Sequence, residues 1–485
     1  MDAITEQSAV ALAAAIRSGQ TTAREVVEAH IELLVRVNPM INAVIADRYD
    51  AARREADAAD ARIAAAEPGE SLPPLLGVPC TVKESLALAG MPHSAGVVAR
   101  QGQRATTTAT VVARAMNAGA IPLGVTNTSE LCLWVESENR LYGRTRNPYD
   151  PSRIAGGSSG GEAAAIGSGG SPFGLGSDIG GSIRIPAFCC GVFGHKPSRG
   201  LVPATGAWPP LSGDSGRLYS NGPLARRAED LMPLLRVMAG PDGVDRQTIP
   251  VRLGDPAEVS LGGLTVLLTD DAWLVAPSDE LLAARERAAG ALAAAGARIR
   301  RRRMPALRRA VDAYVTTLAR STGVTVREVL GSAGAGPVGW RDLLRRGGPH
   351  TVATRILLVA ERAQARVPAR VASRLVAAGR LVAHEIAAAV GDGVLLHPPL
   401  ARTAFRHGRT VGRPWHLAHA VPFNLAGVPA TQVPLGLGQD GLPVGVQVVA
   451  GYLRDHVAIA VALELERVFG GWVPPPRLRR VAFAP

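Results

Sequence analysis

The residues best suited to chemistry in this chain sit in two glycine-rich turns, Gly156-Gly157-Ser158-Ser159-Gly160-Gly161 and Asp178-Ile179-Gly180-Gly181-Ser182. Glycine fills eleven of the twenty-six positions from Gly156 to Gly181, denser than a packed helix would hold. Backbone of that kind can approach a ligand closely and point its N–H groups inward. A hydroxyl presented beside free amides suits acyl transfer, in which the hydroxyl attacks a carbonyl and the amides receive the developing oxyanion. Composition adds a second signal. Of 53 basic residues only Lys83 and Lys196 are lysine, the other 51 being arginine. A buried ammonium can give up its proton and serve as a base, whereas a guanidinium cannot. Either lysine is therefore a candidate general base, although drift toward arginine would also leave two lysines at arbitrary places.

Three nucleophile arrangements compete. Gly157-Ser158-Ser159-Gly160-Gly161 fits G-x-S-x-G, with Ser159 as nucleophile. That elbow needs a strand just before it and an acid and a histidine downstream. The preceding YDPSRIAG is a poor strand, and none of the ten histidines stands in a triad context. S-x-x-K is absent before either lysine. The third arrangement makes Ser182 the nucleophile, with the amides of Ile179, Gly180, Gly181 and Ser182 converging on the oxyanion and a second serine relaying the proton to a neutral lysine. Lys83 suits that role. The run Leu75-Leu76-Gly77-Val78-Pro79-Cys80-Thr81-Val82 reads as a buried strand that carries Lys83 at its end, and burial lowers an ammonium pKa. This arrangement is the one favoured.

The elements that must position these residues alternate between helix and strand. Helices are expected over Ala9–Ile16, Ala23 to about Val37 with Thr22 as cap, and roughly Val44–Ala66. Strands are expected at 75–85 and Ala120–Thr126 with helix Thr106–Ala118 between them, and a helix at Glu162–Gly167 places its positive dipole near Ser158 and Ser159. Further on, strands are expected at Leu264–Leu268, Gly393–Leu396, Ala430–Leu435 and Pro443–Val449, with helices at Ser278–Ala295 and roughly Thr351–Ala389. Ser321–Gly348 is mixed.

At 485 residues and 47% hydrophobic, the chain can bury a sizeable core. Four cysteines without C-x-x-C spacing point to buried thiols in a reduced cytoplasm. No apolar run spans a membrane, and Asp2 and Glu6 stand where a secretory leader needs positive charge. The net charge of +12 raises a non-catalytic nucleic-acid-binding alternative, focused on Arg298, Arg300–Arg303, Arg308 and Arg309. With 4% aromatics and no stacking motif, a solvated arginine face is the better reading. His384-Glu385 lacks the second histidine of H-E-x-x-H, and His416-x-x-His419 is a lone pair, so both read as ordinary helix residues. No metal and no cofactor is expected.

GVPCTVKES, GGSSGGE and GSDIGGSIRIPAFCCGVFGHKPS together resemble the amidase signature family. The resemblance extends through Gly222–Gly243 and Pro422–Gly451, and TNTSELCLWVESENRLYGRTRNPYD is most similar to its fatty-acid-amide-hydrolase-like branch. It implies an α/β fold with a central mixed sheet covered on both sides by helices. It also implies one large domain over 1–485: a helical part at about 1–70, a signature core at about 75–245, a variable pocket region at about 250–420, and terminal strands and a helix at about 421–475. By the same resemblance Ser182 is the nucleophile, Ser158 the bridging serine after a cis Gly157–Ser158 peptide, and Lys83 the ultimate base. Ser159, Asp178 and Arg184 are organisers, and Lys196 is structural. The implied activity is hydrolysis of carboxylic amides, extending to aryl amides, esters or carbamates, by a cytoplasmic monomer or homodimer. The glutamine-hydrolysing component of a transfer-RNA amidotransferase is the alternative within the family.

Overall fold

The short apolar runs at Pro79–Lys83 and Ile121–Thr126 become neighbouring parallel strands, with Lys83 opposite Thr126 at their C-terminal ends. The structure, a computed structural model, describes residues 3–210, 213–269, 274–321, 325–334 and 347–478. In chain order the strands are β1 (Val44–Asp47), β2 (Pro79–Lys83), β3 (Ile121–Thr126), β4 (Glu138–Asn139), β5 (Gly143–Arg144), β6 (Phe173–Asp178), β7 (Phe193–Lys196), β8 (Ser220–Ala225), β9 (Thr265–Leu268), β10 (Arg298–Arg301), β11 (Val394–His397), β12 (Ala430–Leu437) and β13 (Pro443–Ala450). Eleven form one sheet in the order β1-β3-β2-β6-β8-β7-β12-β13-β11-β9-β10, while β4 and β5 pair separately. Parallel pairs (β3/β2, β2/β6, β11/β9, β9/β10) occupy the two halves, and the centre from β6 to β13 is antiparallel. The result is a mixed α/β sheet flanked by helices, as the resemblance implies.

Buried residues from the N-terminal helices, both halves of the sheet and the Asp455–Phe469 helix form one continuous core. Thr22 caps the Ala23–Ile41 helix in a capping box with Glu25, and Val26, Val27, His30, Ile31 and Leu34 face inward. Several expectations need correction. The helix expected over 44–66 begins as β1, because Val44 pairs with Thr126 across the sheet edge, and helix runs only over Tyr49–Ala64. The single helix expected over 351–389 is two, Val352–Gln364 and Ala369–Val390. Pro368 stands at the N-cap of the second, where its missing N–H and its clash with helical backbone break the run. Most of the mixed segment 321–348 lies outside the described residues.

The arginine cluster at 298–303 includes β10, the edge strand of the sheet. Charged side chains there discourage further strand pairing, and several are engaged within the chain. Arg298 donates to the Gly263 carbonyl, Arg301 pairs with Glu286, and Arg302 donates to the Ala388 carbonyl. Among the described residues no helix is long and apolar enough to cross a membrane, and no cluster of three or more potential metal ligands occurs.

Candidate active site

Lys83 ends β2, and the neighbouring parallel strand β6 pairs Thr81 with Gly174 and Val82 with Leu175. That register carries Ser177 of β6 one residue past the level of Lys83, and the Lys83 Nζ lies 2.9 Å from Ser177 Oγ. Ser158 precedes the Gly160–Gly167 helix, its peptide with Gly157 is cis, and its Oγ lies 2.7 Å from Lys83 Nζ. Lys83 is 0% exposed, and burial pushes its ammonium below the usual lysine range, against the opposing influence of Cys132, Asp178 and Glu162. A lowered pKa makes it easier for this amine to give up a proton, and the group it faces is the Ser158 hydroxyl.

Ser158 and Ser182 line the same cavity, about 510 Å³ in volume. The Ser182 hydroxyl makes no hydrogen bond to any described residue, and its backbone carbonyl accepts from the Ser159 N–H at 3.1 Å. The amides of Ile179, Gly180 and Ser182 likewise donate to no described acceptor. Gly181 departs from the expected set: its N–H donates to Asp178 Oδ1 at 2.7 Å, so it is turned away from the other three. The close packing leaves no room for side chains here. A Cβ on Gly181 would lie 2.6 Å from Ala420 Cβ, and one on Gly180 2.7 Å from the Tyr314 hydroxyl.

The loop is held by a buried polar network. Asp178 pairs with Arg184, both 0% exposed, and also accepts from the Ile183 N–H and the Asn424 side chain. Burial alone would raise the Asp178 carboxyl, but the Arg184 guanidinium overrides it and holds the group well below the usual carboxylate range. Arg184 reaches on to Gln447 Oε1, Asn424 Oδ1 and the Ala420 carbonyl. Ser159 supports the loop more locally, its hydroxyl sitting against the Ser177 backbone. Each polar group has a partner, which is the condition for such a network to rigidify rather than destabilise.

Lys196 is also buried, but it donates to the Pro197 carbonyl at 2.8 Å and is not among the residues that line the cavity. His419 pairs with His397 (2.8 Å) rather than with His416, and neither lines the cavity. Ser177, Asn424 and Gln447 contact the candidate residues Lys83, Asp178 and Arg184, and sequence reasoning misses all three. Ser177 abuts the second serine turn, but only strand pairing shows that it meets Lys83. Asn424 and Gln447 lie 240 and 263 residues from Arg184, and no local pattern marks them.

A family model for amidases matches residues 25–458. The chain belongs to the amidase family. This amidase is 42% identical to fatty-acid amide hydrolase 2-B of Danio rerio, over 96% of its own length and 90% of the relative's. It is 34% identical to a component of the glutamyl-tRNA(Gln) amidotransferase of Deinococcus radiodurans, over 95% and 97%. Its fold is similar to that of 6-aminohexanoate cyclic dimer hydrolase complexed with substrate, with a TM-score of 0.82 at 29% identity, covering 98% of this amidase and 99% of that chain. With the family established, this amidase is a hydrolase acting on amides.

Proposed function

We propose that this amidase hydrolyses carboxylic amides with an extended apolar acyl portion, through a Ser182 acyl-enzyme with Ser158 and Lys83 as the proton relay. The observation that carries the reading is the 2.7 Å contact between Lys83 Nζ and Ser158 Oγ at the wall of a cavity that Ser182 also lines. Neutral Lys83 takes the Ser158 proton as Ser158 takes that of Ser182, and Ser182 Oγ attacks the carbonyl carbon. The oxyanion is received by the amides of Ile179, Gly180 and Ser182. As the C–N bond breaks, the proton returns through Ser158 to the leaving nitrogen. Water then attacks the acyl-enzyme by the same route and releases the acid. Asp178 and Arg184 hold the loop and take no part in proton transfer.

The walls favour an apolar acyl group. Leu131, Leu133, Trp134, Val315, Leu318 and Leu357 are among the lining residues, and the charged ones, Arg320 and Glu361, stand on the helices at 310–321 and 352–364. Free glutamine carries an ammonium and a carboxylate that the apolar walls cannot pair, and Glu361 and Arg320 are already engaged by the Val326 N–H and the Val367 carbonyl, so burying both charges there carries a cost. That disfavours the glutamine-hydrolysing role of the amidotransferase relative. Aryl amides, esters and carbamates remain within reach of the same relay, because acyl group and leaving group decide among them.

The test is a panel of fatty amides, anilides, esters, carbamates and glutamine, run on the wild type and on Ser182→Ala. Fatty amides and anilides should be turned over by the wild type and spared by Ser182→Ala. Preferential turnover of glutamine, or normal amide turnover by Ser182→Ala, refutes the proposal.

A further inference from the structure

Beside the cavity wall lies a buried carboxylate that the proton relay does not use. Glu130, 2% exposed, accepts from His350 Nδ1 at 2.7 Å, from the Thr351 N–H at 2.8 Å and from Thr354 Oγ1 at 2.8 Å. These partners lie 220 to 224 residues further along the chain. The residues that follow Glu130, Leu131 to Trp134, line the cavity. Thr351 is the N-cap of the Val352–Gln364 helix, and that helix lines the cavity with Leu357, Ala360, Glu361 and Gln364. One carboxylate thus joins two walls that come from distant parts of the chain.

The loop at 131–134 needs such support. Leu131 and Cys132 both have φ of 59°, a left-handed conformation that non-glycine residues adopt at a cost. Its other end is tied in the same way: Glu136 accepts from the Gly408 N–H and from the N–H and hydroxyl of Thr410, and Trp134 Nε1 donates to Thr410 Oγ1. The helix, for its part, has its main packing partners in the Ala310–Ser321 and Val326–Ser332 helices. Its N-terminal half is tied to the signature core by Glu130 together with the apolar packing of Ala353 in the main core and of Leu358 beside Val97 and Leu131, and Glu130 supplies the polar part of that tie.

We propose that Glu130 is a positioning residue for substrate selection: its carboxylate clamps the Val352–Gln364 helix to the Leu131–Trp134 loop and so sets the width of the channel that takes an extended apolar acyl chain. The inference rests on the reading of the cavity as the acyl site. Glu130 touches neither Lys83 nor Ser158, and Cys132, the loop residue that bears on Lys83, is held separately by the Thr128 hydroxyl, so loosening the clamp alters the fit of a long chain before it disturbs the relay. An acetyl group is too short to need the far wall.

The experiment compares wild type with Glu130→Gln, Thr354→Val and Thr354→Ser. The measurements are kcat and KM for acetyl and dodecanoyl p-nitroanilide, and the rate at which a short-chain alkyl fluorophosphonate labels Ser182. For Glu130→Gln the dodecanoyl KM should rise about tenfold with kcat, acetyl turnover and labelling within about twofold of wild type. Thr354→Val should give a smaller rise of the same kind, and Thr354→Ser, which restores the hydroxyl, should recover the wild-type KM. The two threonine variants keep the test decisive if Glu130→Gln does not fold. Equal loss on both anilides, or a dodecanoyl KM unmoved in Glu130→Gln or Thr354→Val, overturns the clamp. Failure of the underlying reading shows separately, in the wild type: no labelling at Ser182, or no preference for dodecanoyl over acetyl.

Discussion

Replacing Lys83 with methionine isolates the base on which the proposed relay depends. Methionine matches the length of the lysine stem but cannot accept a proton, and it suits a site that is 0% exposed. Two hydrogen bonds are lost, to Ser158 at 2.7 Å and to Ser177 at 2.9 Å. A positioned general base is worth about 10²–10⁴ in rate, or ~3–5 kcal/mol of barrier. For an amide the full effect should appear, because the same amine receives the attacking proton and returns it to a poor leaving nitrogen. A p-nitrophenyl ester leaves without that returned proton, so its loss should fall at the lower end, about 10². In the wild type kcat/KM for the amide should fall as pH is lowered, as Lys83 becomes protonated, and the variant should lack that limb. Stability should hold or rise, since an amine that costs free energy to bury has been removed. The assay is kcat/KM for one acyl group presented as anilide and as ester, across pH, with thermal melts alongside. Amide turnover by Lys83→Met within tenfold of wild type, or equal loss on amide and ester, would refute the relay.

Other outcomes follow from the same geometry. Ser182→Ala should abolish both hydrolysis and phosphonate labelling, and intact-mass spectrometry after exposure to the phosphonate reads this directly. Arg184→Met strands the Asp178 carboxylate in a dry environment and should cost ~3–5 kcal/mol by urea unfolding, whereas the double variant with Asp178→Asn should recover part of that loss. Burial raises the Glu162 carboxyl to about 7, against the pull of the Thr126 and Thr81 hydroxyls. Its folded value exceeds the unfolded one of about 4.3, so its contribution to stability is complete below that value and is lost as pH rises through about 7. Glu162→Gln should therefore flatten the fall in melting temperature between mildly acidic and mildly alkaline pH. An unchanged slope counts against the shift.

Much of the site is legible because it is local. The turns that hold Ser158 and Ser182 are short stretches whose glycines are demanded by neighbouring groups, and the rarity of lysine narrows the candidate base to Lys83 or Lys196 before any pairing is known. The strand between the turns is less visible. Phe173–Asp178 reads FGLGSD, with glycines where alternating side chains would announce a strand. The structure supplies the reason: a Cβ on Gly174 would lie 1.7 Å from Glu162 Oε2, and one on Gly176 2.6 Å from Leu224 Cδ1. Packing from both faces has removed the pattern by which a strand is read.

The sequence by itself determined which groups are available for chemistry and the local shape of the turns that hold them, since backbone conformation and burial of a short run depend on near neighbours. Tertiary structure decided which groups meet. The bond from Lys83 to Ser158 spans 75 residues, that from Arg184 to Gln447 spans 263, and that from Glu130 to His350 spans 220. The turning of the Gly181 amide toward Asp178, which leaves three of the four expected amides without an acceptor, belongs to the same category. Contacts of this kind follow from strand order and helix docking, which arise from packing over the whole chain and leave no periodic trace in any one segment of it.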